Sequence, residues 1–416
     1  MDLSGTHVVG GEVDLSGAQI GGHLRLDAVH VDNPDGRCTV NAGQTSVGQY
    51  VQCRDGFRSE GRMRLSGARI VGDLNFDGAI LRNTAGPALY AALVQVGADL
   101  FVTGGTRIEG SVELPGSRIA GIAWFGGATL CGGSTSRNDD DGPALDIEGV
   151  TVEQDLTFTD EFVAMGPIRA VGAQVTGTCR FAGRAQALDL RALRADTLVL
   201  TPRQADGGLV DLGRATVRVL QDERAAWPRQ LRLRDFRYET IDDHAADADV
   251  RARLEWLARD LDGYAPQPYE QLVLAYRAAG RVDDARTVAI AAQVRRRGVL
   301  RPHSRAWSHV QQWTFGYGYR PWLAGIWIVV LLAVGAIVFA WQHPAHLVPA
   351  NPDEARPPFN PVVYALDWTV PVIDFRQGKY WVPSGFAQVW AWISMAAGWI
   401  LSTAVVAALA GLVKKE

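Results

Sequence analysis

Residues 61–76 read GRMRLSGARIVGDLNF, and they contain the pattern that decides the fold of the first half of the chain. Gly61-Arg-Met-Arg-Leu65 and Gly72-Asp-Leu-Asn-Phe76 share the form G-x-φ-x-φ, in which φ is apolar, and Ser66-Gly67-Ala68 lies between them. Alternation of apolar and polar residues indicates a short strand with one buried face. The glycine in Ser-Gly-Ala favours a tight corner between two such strands.

The motif recurs with a regular spacing. Strong copies begin at Gly11, Gly22, Gly61, Gly72, Gly110 and Gly121, and weaker copies begin at Gln49, Ala98, Gln154 and Gly177. Gly11 and Gly61 are 50 residues apart, and Gly61 and Gly110 are 49 residues apart. A fixed period of this kind is typical of solenoids, and each period here holds two rungs of about 25 residues.

A five-residue strand is not stable alone, so the repeats must stack and bury their apolar faces in one continuous core. The sequence therefore predicts a β-solenoid (β-helix) over residues 1–221, in the style of pentapeptide-repeat and bactofilin proteins. About eight rungs at roughly 4.8 Å each give a rod of about 40 Å. The residues expected to point inward are Leu15, Leu26, Leu65, Phe76, Leu114 and Phe125.

The first rung begins almost at Met1, and no capping element precedes it. An uncapped end is an open sheet edge. Either the start codon is misplaced, or this end pairs with a protein partner or with a second copy of the chain.

Residues 222–320 have fewer glycines and more charge, and they predict a helical adaptor with a basic juxtamembrane segment. In residues 247–261 the apolar stripe Val250, Leu254, Leu257 and Leu261 follows helical spacing. Residues 269–279 and 283–297 read as two helices around Gly280-Arg281, which resembles one hairpin of the tetratricopeptide type. The hairpin is interpreted either as a packing adaptor under the solenoid or as a groove for a partner peptide.

Two stretches are long and apolar enough to cross a bilayer. Residues 322–341 and 386–413 contain no charged residue, and about twenty apolar residues suffice to span. They predict transmembrane helices over residues 321–342 and 385–413, joined by an extracytoplasmic loop over residues 343–384.

Basic residues flank these two spans and set the expected orientation. The loop between the spans holds only Arg356, Arg376 and Lys379. The positive-inside rule therefore places both termini in the cytoplasm and the spans in the inner (cytoplasmic) membrane. The residues expected to contact lipid headgroups are Arg295, Arg296, Arg297, Arg301, Arg305, Arg320, Lys414 and Lys415.

The loop contains an apolar stretch, residues 362–375, that is too short to span a bilayer. We expect a broken helical segment that rests on the outer membrane interface, with Asp367 and Asp374 facing water or the basic Arg376 and Lys379. In an alternative interpretation the segment dips inward and both aspartates line a cation path.

Composition excludes several classes of function. The net charge is −4, which gives no electrostatic basis for binding nucleic acid. The four cysteines form no CxxC pair. The acidic run Asp139–Asp141 matches no calcium loop, and His343 with His346 is read as ordinary loop polarity. The sequence therefore predicts no metal, no cofactor and no catalytic residue, and the absence of a signal peptide agrees with a cytoplasmic solenoid.

The last third of the chain resembles actinobacterial two-span β-solenoid membrane proteins often labelled "membrane-associated oxidoreductase". The resemblance lies in short motifs, including residues 267–272 (QPYEQL), 316–322 (GYGYRPW), 359–367 (FNPVVYALD), 371–374 (PVID) and 398–403 (GWILST). It implies a redox activity. The residues themselves include no strand–GxGxxG–helix unit, no CxxCH and no cysteine cluster.

Three functions follow from these observations. The leading hypothesis is a non-catalytic, membrane-tethered scaffold that presents the solenoid to the cytoplasm. The second is an oligomeric two-span channel with the solenoid as sensor, and the third is the oxidoreductase of the family label. The expected partners are membrane lipids and a protein partner or second copy at the open end.

Overall fold

The computed structural model describes residues 1–33, 38–132, 142–203, 208–242, 249–296, 322–351, 358–370 and 375–413. The chain forms two compact units, Met1–Ala289 and Ile290–Glu416. The first unit is a β-solenoid of about ten turns followed by helices, and the second unit is helical.

The solenoid has four faces, and each face is a ladder of parallel strands. Faces 1 to 3 have one strand in each of about ten turns, and face 4 has described strands in seven turns. Face 1 contains Val13–Asp14, Val40–Asn41, Met63–Arg64, the end of Ile80–Tyr90, the end of Arg107–Glu113, Leu145–Asp146, Ile168–Arg169, Ala187–Asp189, Leu209–Asp211 and Gln230–Arg232. Face 2 contains Gln19–Ile20, Ser46–Val47, Arg69–Ile70, Gln95–Val96, Arg118–Ile119, Thr151–Val152, and the beginnings of Gln174–Phe181, Arg194–Leu200, Thr216–Asp222 and Arg237–Asp242.

Face 3 contains Leu24–Arg25, Val51–Gln52, Leu74–Asn75, Leu100–Val102, Ala123–Phe125, Leu156–Phe158 and the ends of the four long strands that begin on face 2. Face 4 contains His7–Val9, His30–Asp32, Arg58–Glu60, the beginnings of Ile80–Tyr90 and Arg107–Glu113, Thr129–Leu130 and Val163–Ala164. Among the described residues, face 4 has no later strand, and a single bridge joins Val163 to Arg184.

The core follows the period-two pattern, and the predicted inward residues are confirmed as buried: Leu15, Leu26, Leu65, Phe76, Leu114 and Phe125. Side chains at equivalent positions stack along the axis. Phe125, Phe158 and Phe181 form such a ladder on face 3, with ring centroids 4.8 Å and 4.5 Å apart. The Ser-Gly-Ala corners are also confirmed, because Gly17 and Gly67 have φ values of +70° and +67°, which L side chains rarely adopt.

The solenoid extends further than the sequence predicted. Its strands continue to Asp242, beyond the expected boundary at residue 221, and it has about ten turns instead of eight. The late turns lack the G-x-φ-x-φ motif, because Arg194–Leu200, Thr216–Asp222 and Arg237–Asp242 run on from face 2 to face 3 without a glycine corner. A search for glycine-led repeats therefore stops too early.

Three helices follow the last turn: α1 (Val250–Leu257), α2 (Pro266–Ala278) and α3 (Val282–Arg296). The turn predicted between α2 and α3 is present at Gly280, which has a φ of +74°. A short 3₁₀ helix, Arg224–Ala226, precedes the last face 1 strand. The amides of Leu231 and Leu261 pair with the carbonyls of Arg259 and Leu231, so the segment after α1 covers the edge of that strand.

Helix α1 is shorter than predicted and buries a different face. The buried residues include Arg253 and Trp256, while Leu261 is exposed. The Arg253 guanidinium forms two hydrogen bonds of 2.8 Å with the Asp222 carboxylate at the end of strand Thr216–Asp222. Its carbon Cζ also lies 5.0 Å from the Trp227 ring and 5.3 Å from the Trp256 ring. A buried ion pair thus fixes α1 to the solenoid, and no apolar stripe could reveal it.

The second unit contains α4 (Trp322–Gln342), α5 (Pro361–Thr369), α6 (Gln377–Tyr380) and α7 (Phe386–Val413). Strands Leu347–Pro349 and Trp381–Pro383 pair antiparallel and close the connection between α4 and α7. Helices α4, α5 and α7 pack against one another.

Candidate functional site

The most unusual feature of the second unit is the short helix α5, which packs against both long helices. A shared aromatic and aliphatic core holds the three helices together. Its buried members are Phe339, Leu347, Tyr364, Ala365, Trp381, Ala387 and Ala391. The Tyr364 hydroxyl also donates a 3.1 Å hydrogen bond to the carbonyl of Trp381, which ties α5 to the strand before α7.

The beginning of α5 is fixed by local capping. The Asn360 side chain accepts hydrogen bonds from the amides of Val362 and Val363, at 3.0 Å and 3.3 Å, and Pro361 occupies the first turn, where its missing N–H costs nothing. The amide of Asn360 in turn donates to Gln377 Oε1 at 3.2 Å. The entry of α5 is therefore held beside α6.

The end of α5 lies deep along α7. A Cβ on Gly398 would overlap the backbone of Thr369, the last residue of α5, so only glycine fits there. Gly398 is twelve residues into α7, or about 18 Å along its axis. On the other side, a Cβ on Gly335 would lie 3.3 Å from the Cβ of Ala365. Helix α5 thus packs against both long helices and ends near the middle of α7, while its predicted position at the outer membrane interface stays a prediction.

The chain then turns back. The Asp367 carboxylate accepts hydrogen bonds from the amides of Phe375 and Gly378, at 2.6 Å and 3.1 Å. These two amides flank Arg376, whose φ of +63° lies in the left-handed region. Asp367 is half-buried and stabilises the returning segment through its backbone, while its predicted contact with water or with Arg376 and Lys379 stays a prediction. Asp374 lies outside the described residues.

Two hydroxyl groups are buried in this unit without a hydrogen-bond partner in the part of the chain that the structure describes. They belong to Thr369, at the end of α5, and Ser394, on α7, which are 1% and 0% exposed. Ser394 is four residues before Gly398, so both lie on the face of α7 that meets α5. Buried polar groups normally have a partner, so these hydroxyls mark the inner end of α5 as a polar site.

The predicted lipid-contact residues are described only in part. Arg295 and Arg296 are exposed at the end of α3. Arg297, Arg301, Arg305, Arg320, Lys414 and Lys415 lie outside the described residues, as does the acidic run Asp139–Asp141. Within the described ranges, no three histidine, cysteine, aspartate or glutamate side chains are grouped to hold a metal ion.

One helix of the described chain, α4, contains a stretch long and apolar enough to cross a membrane, Gly325–Gln342. A second span in α7 stays a prediction. Comparisons of the chain with protein-family models, with curated proteins and with solved structures give no match.

Proposed function

We propose that the protein is a membrane-anchored scaffold in which α4 and α7 both span the bilayer. The exposed apolar side chains of the two helices carry this proposal. On α4 they include Ile326, Val329 and Ile337, and on α7 they include Trp392, Trp399 and Ile400. Large continuous apolar surfaces are rare on soluble monomers and mark membrane or protein contacts. With 21 and 28 residues, both helices are long enough to span.

The orientation rests on charge. Arg295 and Arg296 are exposed at the end of α3 and precede α4 in the chain, and the loop after α4 is poor in basic residues, so the solenoid lies on the cytoplasmic side of the inner membrane. A cysteine at Gly378 should react with an impermeant maleimide in intact cells, whereas a cysteine at Gly298 should not. The native cysteines provide the control, since all four precede α4. Labelling at Gly298 but not at Gly378 would refute the orientation.

The scaffold interpretation has support in the first turn of the solenoid. Its strands His7–Val9, Val13–Asp14, Gln19–Ile20 and Leu24–Arg25 pair with the second turn, and Val9 is 80% exposed. This edge is the proposed contact for a second copy or a protein partner. Val9→Lys should weaken self-association measured by the mass of the detergent-solubilised chain. Val71→Lys, at a residue 66% exposed on the body of the rod, should not.

A second candidate function is an oligomeric channel, and the penetration of α5 between α4 and α7 favours it. A helix that ends at mid-membrane leaves carbonyl groups there, which is tolerated only inside protein or against water. The carbonyl end of a helix also carries partial negative charge, which suits a cation. The buried hydroxyls of Thr369 and Ser394 add polar groups at the same depth. A simple anchor requires none of these features.

Conductance of the full chain in planar bilayers tests the channel candidate. Gly398→Val should abolish a cation current because the side chain displaces the end of α5. Gly325→Val, on α4 with open space around its Cα, should leave the current unchanged, and Asp374→Asn should alter cation preference. If the protein forms no ring in detergent and carries no current, the channel candidate fails and the anchored scaffold remains.

A further inference from the structure

The first unit has a large groove along the outside of face 3, with a volume of about 1180 Å³. Its floor consists of outward-facing side chains from consecutive turns, among them Trp124, Thr157, Arg180 and Val199. Trp124 and Gln221 both line the groove and are four turns apart, or about 19 Å. Thr103, one turn earlier than Trp124, also lines it. The groove is therefore an elongated site.

The groove lies beside the turns in which face 4 has no strand among the described residues, that is, the turns after Val163–Ala164. Residues that directly follow face 3 strands, Thr159, Thr201 and Glu223, line the groove. The outward positions Thr157 and Val199 are only 8% and 2% exposed. An outward residue on a flat face would be accessible, so this burial reflects a concave surface.

Several polar side chains in the groove form no hydrogen bond or ion pair with the described residues. Thr157 is more than nine-tenths buried, faces the groove and forms no side-chain hydrogen bond with the described residues. The half-buried Thr178 and Thr201 likewise form no hydroxyl hydrogen bond with the described residues, and the guanidinium of the exposed Arg180 forms neither a hydrogen bond nor an ion pair with them. These hydroxyl and guanidinium groups are open to solvent at the groove, so they are available to hydrogen-bond with a ligand.

One aromatic ring lies in the groove in a position suited to stacking. Trp124 is 39% exposed, and a Cβ on Gly126 would lie 2.5 Å from its Nε1, so the glycine leaves room for the indole. The face of an indole carries partial negative charge and attracts polarised C–H groups. The neighbouring position one turn earlier on the same ladder is Phe101, which does not line the groove.

We propose that this groove binds a neutral, linear oligosaccharide. Sugar hydroxyls both donate and accept, so they match the unpaired threonine hydroxyls and Arg180, and the C–H face of a sugar ring stacks on Trp124. Charge excludes anionic ligands, because four carboxylates line the groove against two arginines. Two of those carboxylates are already engaged: Asp155 accepts the Thr178 amide at 2.6 Å and Asp160 pairs with Arg203 at 2.9 Å.

Binding is tested with the full chain in lipid nanodiscs, since many detergents themselves carry sugar headgroups. Maltohexaose and cellohexaose are titrated while intrinsic tryptophan fluorescence and binding heat are recorded. We expect saturable binding of at least one of them, a loss of at least tenfold in affinity for Trp124→Ala, and no loss for the matched variant Phe101→Ala.

Thr157→Val separates binding from folding. The native hydroxyl has no partner in the described chain, so the isosteric valine should leave thermal stability unchanged or raised while it weakens oligosaccharide binding about tenfold. Absence of binding for both sugars overturns the proposal, as does binding that Trp124→Ala leaves intact. Saturable binding of a lysine-rich peptide in place of the sugars also overturns it and assigns the groove to an acidic peptide-binding role.

Discussion

Replacing Arg253 by methionine should open the last turns of the solenoid, because it leaves the Asp222 carboxylate buried without its cation. The side chains of Arg253 and Asp222 are 4% and 2% exposed, and both guanidinium–carboxylate hydrogen bonds are 2.8 Å long. The guanidinium also contacts Trp227 and Trp256. No water can replace these contacts without separating α1 from the solenoid.

Breaking a buried ion pair in this way costs about 3–5 kcal/mol. The matched control is Arg218→Met, because Arg218 forms the same two-bond pair with Asp196, at 2.6 Å and 2.8 Å, on the surface. Those side chains are 56% and 40% exposed, so solvent screens their pair and its loss should change stability little. The double variant Asp222→Leu with Arg253→Met should recover most of the loss, because it leaves no buried charge.

Hydrogen exchange of the solubilised full chain measures the effect, since the turns of a solenoid contact only their neighbours and can open locally. The amides of residues 209–242 should exchange faster in Arg253→Met by about two to three and a half orders of magnitude. The control should change them by less than one order. If both variants exchange alike, the ion pair does not hold the end of the solenoid and the reasoning fails.

Three further predictions concern the core. Phe158→Ala should lower the free energy of unfolding by about 3–5 kcal/mol in urea titrations, and a loss below about 1 kcal/mol would contradict its stacked position. Burial raises the pKa of Asp260, so the stability that protonated Asp260 contributes is lost as the pH rises above about 4. Unfolding of the native protein and of Asp260→Asn is compared at pH 4 and pH 7, and the stability of the native protein relative to the variant should fall over that range; an unchanged difference would contradict the raised pKa. Burial also raises the pKa of the Cys53 and Cys179 thiols, so mass spectrometry should find maleimide on them only after unfolding, and rapid labelling of the native protein would argue against their burial.

The sequence predicted the features that depend on local alternation. Leu65 and Phe76 were expected inside because their neighbours along the strand are polar, and both are buried. The sequence failed where distant residues decide the outcome. Arg253 is buried because Asp222, 31 positions earlier, ends a strand at that place. An arginine in a helix otherwise indicates an exposed surface.

The position of α5 and the groove on face 3 could not be predicted from the sequence, for different reasons. The depth of α5 depends on Gly335 and Gly398, and a glycine in an apolar helix gives no sign of the partner it admits. The groove depends on the curvature of face 3, because Thr157 and Arg180 sit at ordinary outward positions of the repeat. Which of these outward positions lies in a concave surface depends on residues that follow the face 3 strands, such as Thr159 and Glu223, and the repeat pattern does not specify them.

The repeat also allows the length of the solenoid to change during evolution. Gly61 and Gly110 occupy the same corner two turns apart, with φ values of +144° and +126°, and Met63 and Val112 follow them in the same register on face 1. Recombination that removed residues 61–109 would therefore join matching corners and shorten the rod by about 10 Å, with both ends preserved. Slippage between such repeats adds or removes turns in pairs. Copies of this gene in different lineages should therefore differ by 49 or 50 codons at a time, and the encoded rods should differ by two turns.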